Sequence, residues 1–525
     1  MANKAKRSAQ RVSAEIAGVH DTVAAVHHDI AEDVHLLHSM GYAQELSRRM
    51  KGFSNFAISF SIICILSGGI NSLAQGMAGV GGAAIGIGWP LGCLISFLFA
   101  LGMAQIASAY PTAGGLYHWG SILGGRGWGW ATAWLNLIGL VTVLAAINVG
   151  TYGFFMGAFG GTLGLTDNYI TKIVFMIVIT SLQALINYRG IELTSKLTDF
   201  SGYLIFAVSI LLTAVLFIFA PSYDFGRLFT FTNYSGIADG AVWPASQSML
   251  YVFLLCLLLP IYTITGFDAS AHTSEETVKA SSVVPRGIIT SVLWSSLFGW
   301  LMLIAFVIAT PNMDEAAASG WGVFFYTMDA VVPNALKQLL YFGIFVSQFL
   351  CGLATVTSCS RMMFAFARDG GLPASNWFRE IHKTYLTPGN AIWASAVISI
   401  LFTMYTPVYT TVVTVCVIFL FLSYGTPVVL GALAYGKTWK QMGPFNIGAL
   451  YRVVALLCGL AVLFIFYVGI QPPNDKALWI TIAFLALTVI VWFALERNRF
   501  EGPPTGERLA RRQRELAGAA TGKKR

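Results

Sequence analysis

The sequence predicts a polytopic α-helical membrane protein of about twelve spans. Hydrophobic residues make up 56% of the 525-residue chain and only 11% of its residues are charged, whereas roughly a quarter of a soluble domain is charged. The apolar residues also cluster in runs of about 20, which is the length a helix needs to cross the hydrocarbon core. A transmembrane β-barrel would instead show short segments of alternating polarity.

Twelve apolar runs are long enough to form the spans. They cover residues 54–78, 84–108, 129–158, 169–187, 200–220, 247–272, 284–310, 338–367, 390–405, 408–435, 451–470 and 477–495. Only Thr406 and Pro407 separate the ninth run from the tenth, which leaves eleven or thirteen spans as alternatives. Residues 1–50 lack the short apolar core of a cleavable signal peptide, so we expect the first span to act as the insertion signal.

The positions of Lys and Arg predict that both termini face the cytoplasm. With that orientation the outward segments carry only four of the 32 Lys and Arg residues, namely Lys172, Arg227, Lys337 and Lys476. Such an excess of positive charge is typical of cytoplasmic loops. We therefore predict a multi-pass protein of the plasma (inner) membrane. Its basic cytoplasmic tail, residues 497–525, is expected to lie near anionic lipid and not to bind nucleic acid.

The cytoplasmic N-terminal tail, residues 1–50, contains a predicted amphipathic helix. Apolar residues recur there at spacings of three and four, at Ile16, Val19, Val23, Val26, Ile30, Val34 and Leu37. Five of the eight histidines fall in the same segment, at His20, His27, His28, His35 and His38. We expect the helix to lie on the protein or on the inner leaflet. A histidine-based pH sensor is the alternative, because these side chains titrate near neutrality.

The composition of the spans argues against an enzyme. They are nearly free of His, Asp and Glu, which an intramembrane active site would need in clusters. The seven cysteines all fall in apolar runs without metal-ligand spacing, and there is no Gly-x-x-x-x-Gly-Lys-Ser/Thr loop for a nucleotide. We therefore predict no metal and no cofactor, and we expect the protein to draw energy from an ion gradient or from exchange and not from a nucleotide.

Small residues interrupt the first span. The interruption at Ser67, Gly68 and Gly69 lets the backbone approach a ligand closely. The first N–H groups of the following half-helix would have no partner and would carry the positive end of the helix dipole. Together with Ile70, these residues form a predicted site for a substrate carboxylate. Packing of small residues against another helix is the alternative.

The sixth span is interrupted by Pro260 and then between Thr263 and Gly266. Pro260 removes one backbone donor and crowds the preceding turn, so we predict free carbonyls that accept from a substrate ammonium. The candidate substrate-binding residues here are Pro260, Ile261, Tyr262, Thr263 and Gly266, and the candidate gating residues are Tyr262 and Phe267. Tyr262 is suited to a cation–π contact; an ordinary core aromatic is the alternative.

Asp268 lies further along the same apolar run. Carboxylates within spans are costly and usually functional, and burial would suit Asp268 to carry a coupling proton. A helix-end carboxylate that faces cytosolic water is an equally supported alternative. We expect Glu275 and Glu276, a few residues on, to be solvated at the inner mouth.

The two broken spans are five helices apart, which fits two inverted halves. We expect the first repeat in residues 51–220, the second in residues 221–440, and two further helices in residues 441–496. Matched breaks in the two halves of a chain are the best sequence indicator of a transporter's substrate site.

Further motifs carry a family resemblance. They are Tyr110–Trp119 after the second span, Ser360–Pro373 at the end of the eighth, and Gly266–His272 followed by Ser274–Thr277. With the two breaks, they resemble the amino acid–polyamine–organocation superfamily, and in particular its amino acid/choline branch, which includes GABA permeases. The resemblance covers residues 41–495 and implies a LeuT-type fold of 5+5 inverted repeats plus two C-terminal helices.

The resemblance implies roles for several residues. It assigns substrate carboxylate binding to Ser67, Gly68 and Gly69, gating to Tyr262, and proton coupling to Asp268. Trp134 and Asn136 are expected to border the site. One departure concerns the coupling ion: some proton-coupled relatives place a lysine within span five, where this chain has Ile205. Sodium is therefore an alternative to the proton, with the possible ligands Thr357, Ser358 and Ser360.

The sequence thus predicts a secondary active transporter that imports an amino acid or a GABA-like zwitterion by alternating access. Its expected partners are a small zwitterionic or cationic amine substrate and the lipid bilayer. A choline or polyamine carrier of the same fold is the first alternative, because a purely cationic substrate needs no carboxylate site. A membrane sensor that binds its ligand without moving it is the second.

Overall fold

The predicted spans are all helical in the structure, a computed structural model that describes residues 28–237, 242–406 and 408–522, the last four by backbone only. Over this part of the chain the only extended pairings are two isolated bridges, Met50 with Thr277 and Tyr435 with Trp439. Part of the predicted N-terminal helix, including His20 and His27, and Pro407 lie outside the described residues.

Within the described residues, ten helices are long and apolar enough to cross a membrane. They are Gly52–Val80, Ala84–Ala109, Arg126–Gly160, Tyr169–Tyr188, Ile191–Phe219, Ala280–Ala309, Asn334–Arg368, Tyr409–Ala434, Leu450–Gly469 and Asp475–Arg499. Two shorter apolar helices, Met249–Thr263 and Gly389–Tyr405, coincide with the predicted sixth and ninth spans. The chain is therefore an all-helical, multi-pass membrane protein, as predicted.

Breaks and kinks divide these spans into shorter elements, which we label in chain order. They are α1 (28–39), α2 (Gly52–Ile63), α3 (Gly68–Asn71), α4 (Leu73–Val80), α5 (Trp89–Ala109), α6 (Leu116–Gly124), α7 (Arg126–Phe155), α8 (Tyr169–Tyr188), α9 (Ile191–Phe219), α10 (Met249–Cys256), α11 (Leu258–Thr263), α12 (Ala269–His272), α13 (Ala280–Ala309), α14 (Met313–Ala318), α15 (Val323–Val331), α16 (Asn334–Arg368), α17 (Ser375–Phe378), α18 (Gly389–Tyr405), α19 (Tyr409–Ala434), α20 (Leu450–Gly469), α21 (Asp475–Val491), α22 (Arg497–Arg499) and α23 (Gly506–Gly522).

The first broken span unwinds earlier than predicted. Helix α2 ends at Ile63, and Cys64 adopts a positive φ of 23°, which turns the chain out of the helix. The Cys64 carbonyl then accepts from both Ser67 N (2.7 Å) and Gly68 N (3.1 Å). The irregular stretch is therefore Cys64–Ser67, and Gly68 and Gly69 already belong to α3.

The second broken span is interrupted at two points, and Pro260 causes only the weaker one. Pro260 lies in the first turn of α11, where its missing N–H is tolerated. Because it cannot donate to the carbonyl four residues earlier, the helix is discontinuous at Leu257. The longer irregular stretch runs from Ile264 to Asp268, with Gly266 at a φ of 86°, a conformation that favours glycine.

The two chain ends lie on the same side of the molecule. The Gln513 side chain of α23 donates to the Ser39 carbonyl of α1 at 2.8 Å, and Arg126, at the start of α7, donates to the Phe500 carbonyl at 3.3 Å. A helix of 30 residues is about 45 Å long, so the other end of α7 reaches the opposite face. We call these faces the tail side and the far side.

The described part of the N-terminal helix packs on the protein. In α1, Leu37 is buried, and both Asp33 carboxylate oxygens accept from the backbone at the start of α13, at 2.7 Å from Lys279 N and 3.0 Å from Ala280 N. Arg48 pairs with Asp33 at 3.5 Å. Burial raises the pKa of the Asp33 carboxyl more than Arg48 and the two backbone N–H groups lower it. The described part of this helix therefore contacts the protein through Leu37 and Asp33.

Candidate functional site

The two breaks touch each other in the middle of the helix bundle. A Cβ atom added to Gly68 would lie 2.8 Å from the Thr263 Cα and 2.9 Å from its Oγ1. Real Cβ atoms essentially never come so close to another atom, so only glycine allows α3 to pack directly on the end of α11. The structure thereby brings the predicted carboxylate-binding and ammonium-binding residues together.

Two backbone donors at the first break have no partner among the described residues. The N–H groups of Ser67, Gly68 and Asn71 all bond to backbone carbonyls, whereas those of Gly69 and Ile70 do not. Such free N–H groups attract an anion. The free donors are therefore those of Gly69 and Ile70, and not those of Ser67 and Gly68.

The free acceptors at the second break begin one residue later than predicted. The Pro260 carbonyl accepts from Ile264 N at 2.9 Å. The prediction that this carbonyl is free to accept from a substrate is therefore wrong. The next three carbonyls, of Ile261, Tyr262 and Thr263, accept no backbone N–H; Tyr262 O receives only the Thr265 hydroxyl, at 2.8 Å. The acceptors thus lie at the C-terminal end of α11, where the helix dipole favours a cation.

A cavity of about 450 Å³ leads from the far side towards the breaks. It is lined by Ile70, Asn71, Val149, Gly150, Tyr152, Gly153, Phe154, Asp167, Lys172, Trp321, Phe324, Phe325, Val408, Tyr409 and Thr410. At its inner end the Tyr409 ring packs edge-on against Tyr262, with centroids 6.2 Å apart, and its hydroxyl bonds to Ser72 at 3.0 Å. Tyr262 therefore lies directly behind Tyr409 and is itself 4% exposed.

The side chains next to the breaks are neutral. Gln348 donates to the Leu66 carbonyl at 2.9 Å and lies 3.4 Å from Asn71. The Cys351 thiol donates to the Ile62 carbonyl at 3.2 Å. A zwitterion bound at the breaks would thus be surrounded by backbone dipoles, amides, hydroxyls and thiols, whereas the charged residues Asp167 and Lys172 line the cavity outside them.

Asp268 is the carboxylate nearest to this junction, and it is fully buried. Its Oδ1 accepts from the Tyr424 hydroxyl at 2.8 Å, and its Oδ2 from Asn136 Nδ2 at 3.1 Å. His272 Nε2 lies 3.2 Å from the same Oδ2. The alternative of a water-facing helix end is therefore wrong, and the expectation that Asn136 borders the site is supported by this contact.

Glu275 and Glu276 are not solvated, contrary to the prediction. Both are fully buried. Glu276 forms a two-pronged ion pair with Arg361 (3.0 and 3.1 Å), and Glu275 does the same with Arg368 (2.8 and 2.9 Å). Two-pronged pairing satisfies both carboxylates in a buried setting, whereas Arg368 Nε is buried without a hydrogen-bond partner. The partners lie at the end of α16, so these pairs tie the sixth span to the eighth on the tail side.

An additional cluster closes the tail side next to these pairs. Asp369 accepts from Tyr42 at 2.7 Å and from Tyr117 at 2.8 Å, and Tyr42 also bonds His118. Burial by itself raises the pKa of the Asp369 carboxyl, but His118, Arg368 and Tyr42 outweigh it and leave the pKa below its ordinary value. Paired charge is therefore concentrated on the tail side.

The remaining predicted residues lie around this core. Phe267 packs on Tyr424 with ring centroids 4.9 Å apart, and Trp134 packs edge-on against Phe366. Ile205, at the position of the lysine in some relatives, is buried in α9. Gating by Phe267 stays a prediction.

The three possible sodium ligands in α16 have different surroundings. Thr357 donates to Asn187 Oδ1 at 2.6 Å and Ser360 to the Thr357 carbonyl at 3.0 Å. Ser358 Oγ is buried without a hydrogen-bond partner. All three oxygens retain lone pairs, so a sodium site stays a prediction.

Several residues of the site were missed at the sequence level. Arg361 is a charged residue within an apolar run, which is itself an indication of function. His272 and Tyr424 gave no such indication on their own, because a histidine or tyrosine in an apolar run is commonly a packed core residue. Their roles depend on contacts between distant parts of the chain.

Two broken apolar helices that meet inside the bundle, with free backbone donors on one and free acceptors on the other, are the arrangement expected of a membrane carrier for a small polar solute. The family model for "Amino acid permease" matches residues 51–495. The chain therefore belongs to the amino acid permease family, whose members are transporters and not enzymes.

Curated relatives extend over nearly the whole chain. Amino-acid permease BAT1 of Arabidopsis thaliana is 32% identical over 507 residues, covering 89% of this chain and 95% of the relative. Amino-acid permease 2 of Neurospora crassa is 27% identical, covering 89% and 88%. The GABA-specific permease of Saccharomyces cerevisiae is 28% identical, covering 85% of this chain and 79% of the yeast protein.

Proposed function

We propose that this permease imports a small neutral zwitterion, an amino acid or a GABA-like amine, as a secondary active transporter. The observation that carries the proposal is the direct contact of Gly68 with Thr263. It supports the proposal because the free N–H groups of Gly69 and Ile70 directly follow Gly68, and the Thr263 carbonyl is one of the free acceptors of α11. The former suit a carboxylate and the latter an ammonium.

The neutral surroundings of the junction favour a substrate without additional charge. A polyamine would carry further ammonium groups into a region where the nearest carboxylate, Asp268, is already engaged by three side chains. Choline has no carboxylate for the N–H groups after Ser67. The printed names of the relatives, amino-acid and GABA-specific permeases, agree with a zwitterion.

With the termini in the cytoplasm, as the distribution of Lys and Arg predicts, the far-side cavity opens to the outside. The structure then corresponds to an outward-facing form in which paired charge closes the inner side. Alternating access would require the pairs of Glu275 and Glu276 with α16 to separate. We infer that a proton, bound at Asp268, drives accumulation; sodium at Thr357, Ser358 and Ser360 is the alternative.

Uptake into proteoliposomes tests the proposal. We expect labelled GABA or a neutral amino acid to accumulate when an inside-alkaline proton gradient is imposed, and unlabelled neutral zwitterions to compete. Choline and putrescine should not compete, and their transport would instead support the cationic alternative. Uptake that ignores proton gradients, sodium gradients and internal substrate would contradict coupled transport.

A further inference from the structure

Histidine 272 holds an unusual position, since both of its ring nitrogens are engaged in a fully buried place. Nδ1 lies 3.1 Å from the Ala113 carbonyl oxygen, and Nε2 lies 3.2 Å from Asp268 Oδ2. A carbonyl oxygen can only accept a hydrogen bond. Nδ1 must therefore carry a proton.

The proton on Nδ1 determines how Nε2 of His272 can interact with Oδ2 of Asp268. In a neutral ring with a proton on Nδ1, Nε2 is an acceptor, and a carboxylate oxygen is also an acceptor. Two acceptors 3.2 Å apart form a hydrogen bond only when a proton lies between them. Either the ring is an imidazolium that donates to the carboxylate, or the carboxyl group is protonated and donates to Nε2.

Among the described residues, the charged groups around the pair are either exposed or engaged with partners of their own. The elements packed most closely on α12 are α2, α13, α16 and the adjoining turn Ser274–Glu276, which carries Glu275 and Glu276. Helix α2 contains no charged residue. On α13 the only charged residue, Arg286, is exposed. The charged side chains of α16 are engaged with other acidic groups, Arg361 with Glu276, Arg368 with Glu275 and Lys337 with Asp329. Two further titratable side chains interact with Asp268, namely Tyr424 and Cys416 of α19.

The pair connects the substrate junction with the closed side. Tyr424 donates to Asp268, and its oxygen accepts from Gly266 N at 3.2 Å, within the second break. On the other side, the N–H of Ala113 donates to Glu275 Oε1 at 3.1 Å. A change at Asp268 and His272 therefore acts on both the break and the ion pair that closes the tail side.

Resting on the proposed proton-coupled transport, we propose that Asp268 and His272 together form the binding site of the coupling proton, with the Ala113 carbonyl fixing the ring orientation. One proton enters from the far side and is held between Oδ2 and Nε2. When it leaves to the tail side, two acceptors face each other. The attachment of α12 to the α5–α6 loop then weakens and the tail side opens.

The closing experiment compares two modes of transport in proteoliposomes of the full chain, with GABA and a mixture of neutral L-amino acids as probes. Accumulation under an inside-alkaline gradient needs proton coupling, whereas exchange of labelled for unlabelled substrate without a gradient does not. Coupling between two ligands is typically about 5- to 150-fold. We expect His272→Gln and Asp268→Asn to lose a gradient stimulation of that size while exchange persists. His382→Gln, in the loop before α18, is the matched control and should keep the stimulation.

Calorimetry of substrate binding in buffers with different ionisation enthalpies, at a pH alkaline enough to remove this proton from the free protein, gives a second measurement, which counts the protons taken up on binding. We expect uptake in the wild type and in His382→Gln, and none in His272→Gln; if that variant does not fold, Asp268→Asn carries the same expectation. Wild-type gradient stimulation in His272→Gln would overturn the proposal, and so would wild-type transport that ignores the proton gradient. Both outcomes leave substrate transport standing, whereas a wild type that moves none of the probes would reject the proposed function itself.

Discussion

The two sides of the junction between the broken helices are built from different interactions. On the far side, a cavity reaches Tyr409 through mostly aromatic and small residues, and the barrier at its inner end consists of rings and one hydroxyl pair. On the tail side, buried ion pairs of Glu275 and Glu276 with α16 close the path. Aromatic side chains can rotate aside without leaving a charge unpaired, whereas buried ion pairs are costly to separate. The tail side should therefore be the one that controls the cycle.

A side chain at position 68 would abolish the junction that the two sides share. Because the Gly68 Cβ position lies 2.8 Å from the Thr263 Cα, Gly68→Ala would push α3 and α11 apart. Misplacement by about 1 Å can reduce turnover about 100-fold, and we expect a loss of at least that order in uptake. Gly161→Ala, where a Cβ meets nothing within 4 Å, is the control. Normal uptake by Gly68→Ala would show that the breaks do not bind the substrate.

Breaking the pair of Arg361 and Glu276 is the strongest test of whether buried ion pairs hold the tail side together. Arg361→Met leaves a buried carboxylate without a partner, which typically destabilises a protein by about 3–5 kcal/mol. We expect a marked fall in the midpoint of thermal unfolding and a tail side that opens more easily to thiol reagents at an introduced cysteine. The double variant Arg361→Met/Glu276→Leu should recover much of the stability.

An exposed ion pair provides the comparison within the same chain. Arg49 and Glu192 lie 2.9 Å apart, with both side chains more than half exposed, and such pairs contribute little. We expect Arg49→Gln to unfold like the wild type. If Arg49→Gln and Arg361→Met lowered the unfolding midpoint equally, burial of the Arg361–Glu276 pair would have no energetic consequence.

The pH dependence of stability tests Glu275, which lies beyond the end of α12 and outside the spans. Burial raises the pKa of its carboxyl, but Arg368 and the Ala113 N–H outweigh burial and leave the pKa below the ordinary value of 4.5. A lowered folded-state pKa contributes stability above the unfolded value, and this contribution is lost as the pH falls through the folded value. The difference in unfolding midpoint between wild type and Glu275→Gln should therefore be constant from pH 7 to pH 5 and shrink below pH 4.5.

The exposed Glu507 of the C-terminal tail is the control for this titration. We expect Glu507→Gln to follow the wild type over the whole pH range. A difference between wild type and Glu275→Gln that grows as the pH falls would contradict a carboxylate held ionised by Arg368.

The sequence was informative wherever a property is local. Length and hydropathy were sufficient for the spans, and Pro260 with Ser67, Gly68 and Gly69 located both breaks to within a few residues. The position of the irregular backbone was not predictable to the residue, because it depends on which carbonyl each N–H finds. The burial of Glu275 and Glu276 was missed for a similar reason. Their partners lie 93 and 85 residues further along the chain, and neither hydropathy nor spacing reports such pairings.

The smallest expected effect lies on the far side. Tyr409→Phe keeps the ring that covers Tyr262 and removes only the hydroxyl that bonds to Ser72 at 3.0 Å. A single hydrogen bond contributes about 1 kcal/mol, so we expect roughly a fivefold change in KM and an unfolding midpoint close to that of the wild type. Tyr405→Phe, on an exposed ring outside the cavity, should change neither. If Tyr409→Phe instead reduced uptake as severely as Arg361→Met, the far side would control the cycle as strictly as the tail side. The contrast between an aromatic barrier and a charged one would then not explain how access alternates.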